Sequence, residues 1–258
     1  MRAIWTGALG FGLVNIPVKI YSATQDSSLD LDMLDKKDYA HIKFLRVNEH
    51  THKEVSWENI VKGYDYNGKM VVLEDKDFKR ANAVKSELIE IDEFVKEAEI
   101  NSMLYEVPYY IVPDKTGAKA YALLKEALQK TEMSGLCTFI LRNREHLGLI
   151  KPEGNLLILN KIRFQEEIRD TEELDIPQTE VKANELKMAV TLINQLSGKF
   201  DIKKYKDNYA ASLMKVIKAK AKGQKFEEPK LRISHSAKKD LMDQLQESLQ
   251  AHKTKKAS

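Results

Sequence analysis

Residues 1–24 read MRAIWTGALGFGLVNIPVKIYSAT, an apolar run broken by Gly7, Gly10 and Gly12, preceded by Arg2 and followed by Ser22-Ala23-Thr24. Three structures could produce such a stretch. A secretion signal needs an uninterrupted apolar centre that leads to a small-residue cleavage site. Here Thr6, the glycines and Asn15 dilute the centre, and Pro17-Val18-Lys19 puts a charge at its end. A dinucleotide loop needs G-x-G-x-x-G between a strand and a helix. The order here is GALGFG, the reverse spacing, and no helix start follows it. The third reading is a strand. Val14, Ile16, Val18 and Ile20 alternate with Asn15, Pro17, Lys19 and Tyr21, which is the period of two that puts one face of a strand on a core. The glycines then make a barrel corner, and Pro17, lacking an N–H, belongs at an edge or a bulge.

The same logic organises the rest of the chain. HIKFLRV (41–47) alternates as a strand, with NEHTHKEVSW (48–57) as its turn and return. Asn67-Gly68 marks a two-residue turn between β-rich runs. Residues 76–92 read as a short helix and the strand ELIEI, and 106–114 as a strand bounded by prolines. The spacing of Ala120, Leu123, Leu124, Ala127 and Leu128 predicts a helix over 117–133. Residues 135–164 read as three short strands with a turn at Pro152-Glu153-Gly154. After Pro177 the pattern becomes helical: Leu186, Ala189, Val190, Ile193 and Leu196 share a face, with Gly198 as C-cap. A second helix carries Tyr209, Leu213, Val216 and Ile217 and ends before Gly223, and a third amphipathic stretch follows Pro229. Strands in bulk followed by helices predict an α+β fold, mainly β, with a barrel or sandwich body.

Charge is distributed unevenly. The net charge of +3 combines a C-terminal arm (199–258) of +9 with a body of −6. Basic arms meet nucleic acid, anionic membranes or acidic partners. No run approaches the ~18 apolar residues of a membrane span. The lone Cys137 lies in the apolar run GLCTFIL and reads as a small core residue. Catalytic patterns are missing: there is no nucleophile elbow, no P-loop and no second ligand pair near His50 and His52 at zinc spacing. No cofactor is therefore expected.

The cations are more informative. Arg142 and Arg144 in RNREH are spaced to share one face of a strand, and Lys161 and Arg163 in NKIRF repeat that spacing on a neighbouring strand. Lys43, Arg46, Lys53 and Lys62 lie in or just after the earlier hairpin. Such residues could face phosphates. No aromatic ladder, helix-turn-helix or zinc-finger spacing points to base reading. Surface cations paired with nearby carboxylates would give the same spacing, so the pattern alone leaves both readings open.

RAIWTGALGFGLVNIPVKIYSAT, IVKGYDY, EVPYYIVPDKTGAKAYALLKEAL, LRNREHLGLIKP and NKIRFQEEIRD occur in an order that resembles bacterial Ku, over about residues 1–225. The resemblance implies a non-enzymatic homodimer that binds double-stranded DNA ends in non-homologous end joining. Its two barrels would form a cradle, closed into a ring by paired β-arms. It implies a barrel core over 1–180 with an arm at about 40–75, a helical region over 181–225 for dimer or ligase contact, and a basic tail over 226–258. DNA contacts would come from Lys43, Arg46, Lys53, Lys62, Arg142, Arg144, Lys161 and Arg163. Recruitment of ATP-dependent DNA ligase D would use Tyr205, Asp207, Tyr209, Leu213 and Ile217. A cytoplasmic, nucleoid-associated protein with no membrane partner is implied. Some relatives carry cysteine pairs in the arm, whereas RVNEHTHKEVSW has none, so no metal is expected there. The tail is short, and whether Arg2 and Lys19 touch DNA stays open. The alternatives from other classes are a nuclease, which would need a carboxylate cluster, and a protein that binds an acidic partner through its basic end.

Overall fold

The structure, a computed structural model, describes residues 1–81, 87–142, 144–172, 174–224 and 241–256. Nine strands occur among these residues: β1 (Trp5–Phe11), β2 (Val14–Ser22), β3 (Lys62–Tyr66), β4 (Lys69–Leu73), β5 (Leu88–Lys96), β6 (Tyr105–Pro113), β7 (Met133–Leu141), β8 (Arg144–Glu153) and β9 (Leu156–Ile162). The helices are α1 (Asp75–Ala81), α2 (Ala118–Thr131), α3 (Ala183–Leu196), α4 (Asn208–Ala221) and α5 (Leu241–Lys256). The chain divides into two compact units, Met1–Asp26 with Asp30–Asp170, and Ser27–Leu29 with Thr171–Ser258.

In the first unit seven strands close a barrel in the order β1-β2-β6-β9-β8-β7-β5, and β5 returns to β1 in parallel. Closure removes exposed strand edges. The alternation read in β2 holds from Ile16 on: Ile16, Val18 and Ile20 are at most 1% exposed, whereas Val14, beside the turn, is exposed. They face Leu9, Ile89, Ile111, Phe139, Leu157 and Leu159 in one core, each large side chain contributing about 1.5–3 kcal/mol by leaving water. The glycine run is itself a strand and not the corner before one. Gly7 and Gly10 lie inside β1, and a Cβ on Gly7 would stand 2.3 Å from the Glu87 carbonyl oxygen and 2.4 Å from the Trp5 ring. Only Gly12, at φ +58, makes the turn into β2. Nor is Pro17 on an edge. Its carbonyl accepts from the Asp114 N–H at 2.8 Å, so its nitrogen faces the β6 side at a point beyond the last β6 pair, Val18 with Pro113.

Helix α2 closes one end of the barrel. Its Tyr121, Leu124 and Leu128 are buried in the core. The Tyr121 hydroxyl donates to the Ile111 carbonyl (2.7 Å) and accepts from the Leu157 N–H (2.6 Å), linking the paired ends of β6 and β9. Glu132, at φ +55, ends the helix. The β8–β9 turn is one residue later than expected, at Gly154-Asn155, because Pro152 pairs with Leu157 inside β8.

The segment before β3 is less regular than its alternation predicts. No strand forms over 41–47. Two isolated bridges, Leu34 with His41 and Val47 with Glu54, hold two tight turns. Each turn is shaped by an Asx side chain. Asp35 Oδ1 accepts from Lys37 N at 2.8 Å, and Asn48 Oδ1 accepts from His50 N and Thr51 N, both at 3.0 Å. Such local bonds compete with a strand ladder. The hairpin β3–β4 does turn at Asn67-Gly68, at φ +53 and +80.

In the second unit α3 packs against α5. Helix α3 ends at Ser197, whose backbone turns extended and whose hydroxyl donates to the Ile193 carbonyl at 2.8 Å. Gly198 is therefore not a left-handed cap. Gly223, at φ +68, does take that role beyond α4. The expected tail lies outside the described residues over 226–240, as do 82–86 of the helix–strand stretch before β5.

Candidate nucleic-acid interface

At the end opposite α2 the barrel interior changes character. Cross-strand partners share a face, so register identifies the side chains that continue the core outward. Along β9 the inward series runs Leu157, Leu159, Lys161; along β8 it runs Gly148, His146, Arg144. Cys137 and Phe139 of β7 pair with Gly148 and His146, and Leu141 pairs with Arg144. On β2, Val18 and Ile20 lead to Ser22. Within one or two inward positions an apolar core gives way to cations. The result is a cavity of about 700 Å³ in the barrel mouth. Arg144, His146, Lys161 and Ser22 line it, with Tyr109 of β6, Arg142 of the β7–β8 turn and Arg2 of the segment before β1.

The sequence places Arg142 and Arg144 on one strand face. In the structure Arg142 lies in the turn, at φ +55, because the chain reverses between Leu141 and its partner Arg144. Both arginines nevertheless reach the same cavity. Lys161 and Arg163 do not act as a free pair. Lys161 Nζ lies 2.6 Å from Glu106 Oε2 and Arg163 Nη2 lies 3.4 Å from Glu106 Oε1. Arg163 Nη1 also donates to the Met103 and Tyr105 carbonyls, each at 2.9 Å. Its guanidinium is spent on fastening the start of β6 beside β9. The hydrogen bond from Lys161, with the charges of Lys161 and Arg163, holds the Glu106 carboxyl below its ordinary value against the opposing effect of burial. Burial, reinforced by Lys161 and Arg144, lowers the pKa of His146. Its ring lies 5.5 Å from that of Phe139.

The arm cations stand apart from the mouth residues in sequence and are exposed. Lys43 and Lys53 are on irregular backbone, and Arg46 stacks 4.8 Å over Trp57. Lys62 opens β3, 4.8 Å over the Phe78 ring of α1. The arm is also unusually apolar at its surface: Phe44, Trp57, Tyr64, Tyr66, Met70 and Val72 are all exposed. In the second unit Asp207 caps α4, its Oδ1 accepting from Ala210 N at 2.9 Å. Tyr205 and Tyr209 are largely exposed, Leu213 is half-buried and Ile217 sits at the exposed margin. Cys137 is fully buried, and burial pushes its thiol pKa upward. Among the described residues no group of three or more His, Cys, Asp or Glu could hold a metal, and no helix is long and apolar enough to cross a membrane.

A family model described as the Ku70/Ku80 beta-barrel domain matches residues 10–188, the stretch that contains most of the closed barrel and of the cationic mouth. The chain belongs to the Ku family. Its relatives include proteins named "Non-homologous end joining protein Ku". The one from Opitutus terrae is 41% identical over 223 residues, covering 85% of this chain and 80% of the relative. That from Coxiella burnetii is 36% identical, covering 86% and 83%, and that from Bacillus subtilis 37%, covering 85% and 72%. The fold expected from the resemblance, a Ku barrel with C-terminal helices in an α+β chain, is the fold observed. Arg2, left open by the sequence, lines the Ku barrel mouth, and sequence reasoning missed Ser22, Tyr109 and His146 there. Only the strand register brings them together. Continuing the inward series of each strand by one more alternate residue would have found Ser22 and His146.

Proposed function

We propose that this chain binds double-stranded DNA ends, without regard to sequence and without catalysing a reaction, in non-homologous end joining. The observation that carries the reading is membership of the Ku family, through relatives named for that process. A protein that holds any sequence must contact phosphates and sugars more than base edges. The mouth cations Arg2, Arg142 and Arg144, which have no ion pair among the described residues, suit that task, together with the Glu106-paired Lys161 and the exposed arm cations Lys43, Arg46, Lys53 and Lys62. Arg163 supports the site from behind by positioning β6.

The working form is a homodimer whose arms close a ring around the duplex. A two-stranded hairpin alone is marginally stable, and this one exposes apolar side chains on both faces. Burying them against a second arm would supply the missing stability, and a closed ring admits DNA only at a terminus. The 200–223 segment recruits ATP-dependent DNA ligase D, with Tyr205, Tyr209, Leu213 and Ile217 as the contact surface and Asp207 holding the helix start. The 1–180 core, the 181–225 helical region and the basic tail divide the work between DNA, ligase and added electrostatic attraction. Such a protein works in the cytoplasm on the nucleoid. Deleting 200–223 tests the assignment: end binding is expected to persist while ligase stimulation is lost. Loss of both would place the segment in the core or the dimer.

A further inference from the structure

The barrel mouth differs in shape from a surface that only follows a duplex. It is a concavity of about 700 Å³, within the range of pockets for small ligands, which favour the mouths of barrels. The flank of a duplex is convex and presents diesters with one charge each. A concavity receives a group that projects. Its cations come from four separate places: Arg2 before β1, Arg142 in a turn, Arg144 on β8 and Lys161 on β9. Among the described residues no Asp or Glu lines this cavity. The neighbouring Glu106 pairs with Lys161 and with Arg163 outside the cavity; Arg144 also borders an adjoining cavity that holds Glu145, Glu166 and Glu167, but Arg2, Arg142 and Arg144 stay without an ion pair among the described residues. Guanidinium forks match the oxygens of a phosphate in pairs, whereas the Ser22 hydroxyl on the same wall already donates to the Thr24 carbonyl at 2.7 Å. Ala3, Ile4, Val107 and Leu141 supply the apolar part of the cavity's lining.

We propose that the mouth of the barrel binds a phosphate monoester, through Arg144 and Arg142 with Arg2 closing over it. A monoester carries nearly two charges at neutral pH and has three free oxygens, which a set of three arginines can satisfy and an internal diester cannot. Two sources share this chemistry, the 5′-phosphate of a DNA strand end and a free nucleotide. Assigning the strand end as the source rests on the end-binding reading.

The full chain is tested in two ways. First, thermal stability is followed as inorganic phosphate or adenosine 5′-monophosphate is added at constant ionic strength. Saturable stabilisation is expected, and it should be lost in Arg144→Ala and weakened in Arg2→Ala. Second, short blunt duplexes with 5′-phosphate or 5′-hydroxyl ends are compared. A preference of about tenfold for the phosphate is expected from one charge-assisted set of hydrogen bonds, falling toward unity in Arg144→Ala. Circular dichroism checks that each variant is folded. Stabilisation by the free anions without end discrimination keeps the site and assigns it to free nucleotides. Absence of both effects, or their persistence in Arg144→Ala, overturns the proposal. Linear and closed-circular duplexes binding alike would overturn the end-binding reading while leaving the first measurement to judge the pocket.

Discussion

At the scale of single residues, the barrel rests on a few polar atoms placed where the core meets strand ends. Tyr121 is the clearest. Its hydroxyl serves one donor and one acceptor at the β6–β9 junction, both shielded by α2. Tyr121→Phe leaves a buried N–H and carbonyl unpartnered, and a loss of about 1–3 kcal/mol is expected in chemical denaturation. His146 in the mouth and Glu106 beside it set a pH dependence. The His146 pKa lies below its ordinary 6.5, so the unfolded chain takes up a proton first as pH falls, and stability drops through and below that value. The Glu106 pKa lies below its ordinary 4.5, so its contribution is complete above that value and is lost as pH falls through the folded-state pKa. Melting temperature is therefore expected to fall on acidification in two stages. His146→Gln should remove the upper stage and leave the lower. A melting temperature that stays flat from neutral pH down through the ordinary histidine range would contradict the first assignment.

At the scale of elements, the barrel and the arm differ in how they are held. The seven barrel strands share one core, whereas β3–β4 forms a separate two-stranded ladder with an Asn67-Gly68 turn and the Lys62–Phe78 contact. Hydrogen exchange in the DNA-free protein is expected to be slow in β2, β7 and β9 and much faster in β3–β4. Asn48→Ala removes the side-chain acceptor of two turn N–H groups and should speed proteolysis at 48–53 without moving the barrel's melting temperature. The same contrast explains what was legible in the sequence. Barrel strands have a strict inside and outside, so β2 and α2 could be read from periodicity, and the β3–β4 hairpin from the turn chemistry of Asn67-Gly68 alone. The arm has no inside in one chain, so the alternation of HIKFLRV carried no information about pairing, and the Asx turns prevailed. Gly7 resembles a bend in sequence because its real reason, the approach of the Glu87 carbonyl and the Trp5 ring, is a tertiary contact. Gly198 has the right spacing for a cap, but Ser197 leaves the helix first. The mouth cavity is half visible in the sequence: charge picks out Arg142, Arg144 and Lys161, while Ser22 and His146 need the register.

At the scale of the whole molecule, an acidic body can still present a positive face, because the mouth gathers its cations inside the barrel's own circumference. Sequence-independent binding through phosphates should weaken steeply with salt. Arg142→Glu with Arg144→Glu is expected to weaken binding to all sequences alike. It should also flatten the salt dependence by roughly 0.9 in log–log slope for each phosphate that is no longer neutralised. Unchanged affinity would mean that these arginines face away from the duplex. The exposed arm predicts that solution mass reports a dimer, and that a short duplex adds to the dimer as a unit. A ring that admits DNA only at its ends is checked by competition between linear duplex and closed-circular duplex of the same sequence at equal nucleotide concentration. Linear DNA should displace bound probe, and closed-circular DNA should do so only weakly. Equal competition by the two forms would contradict the ring.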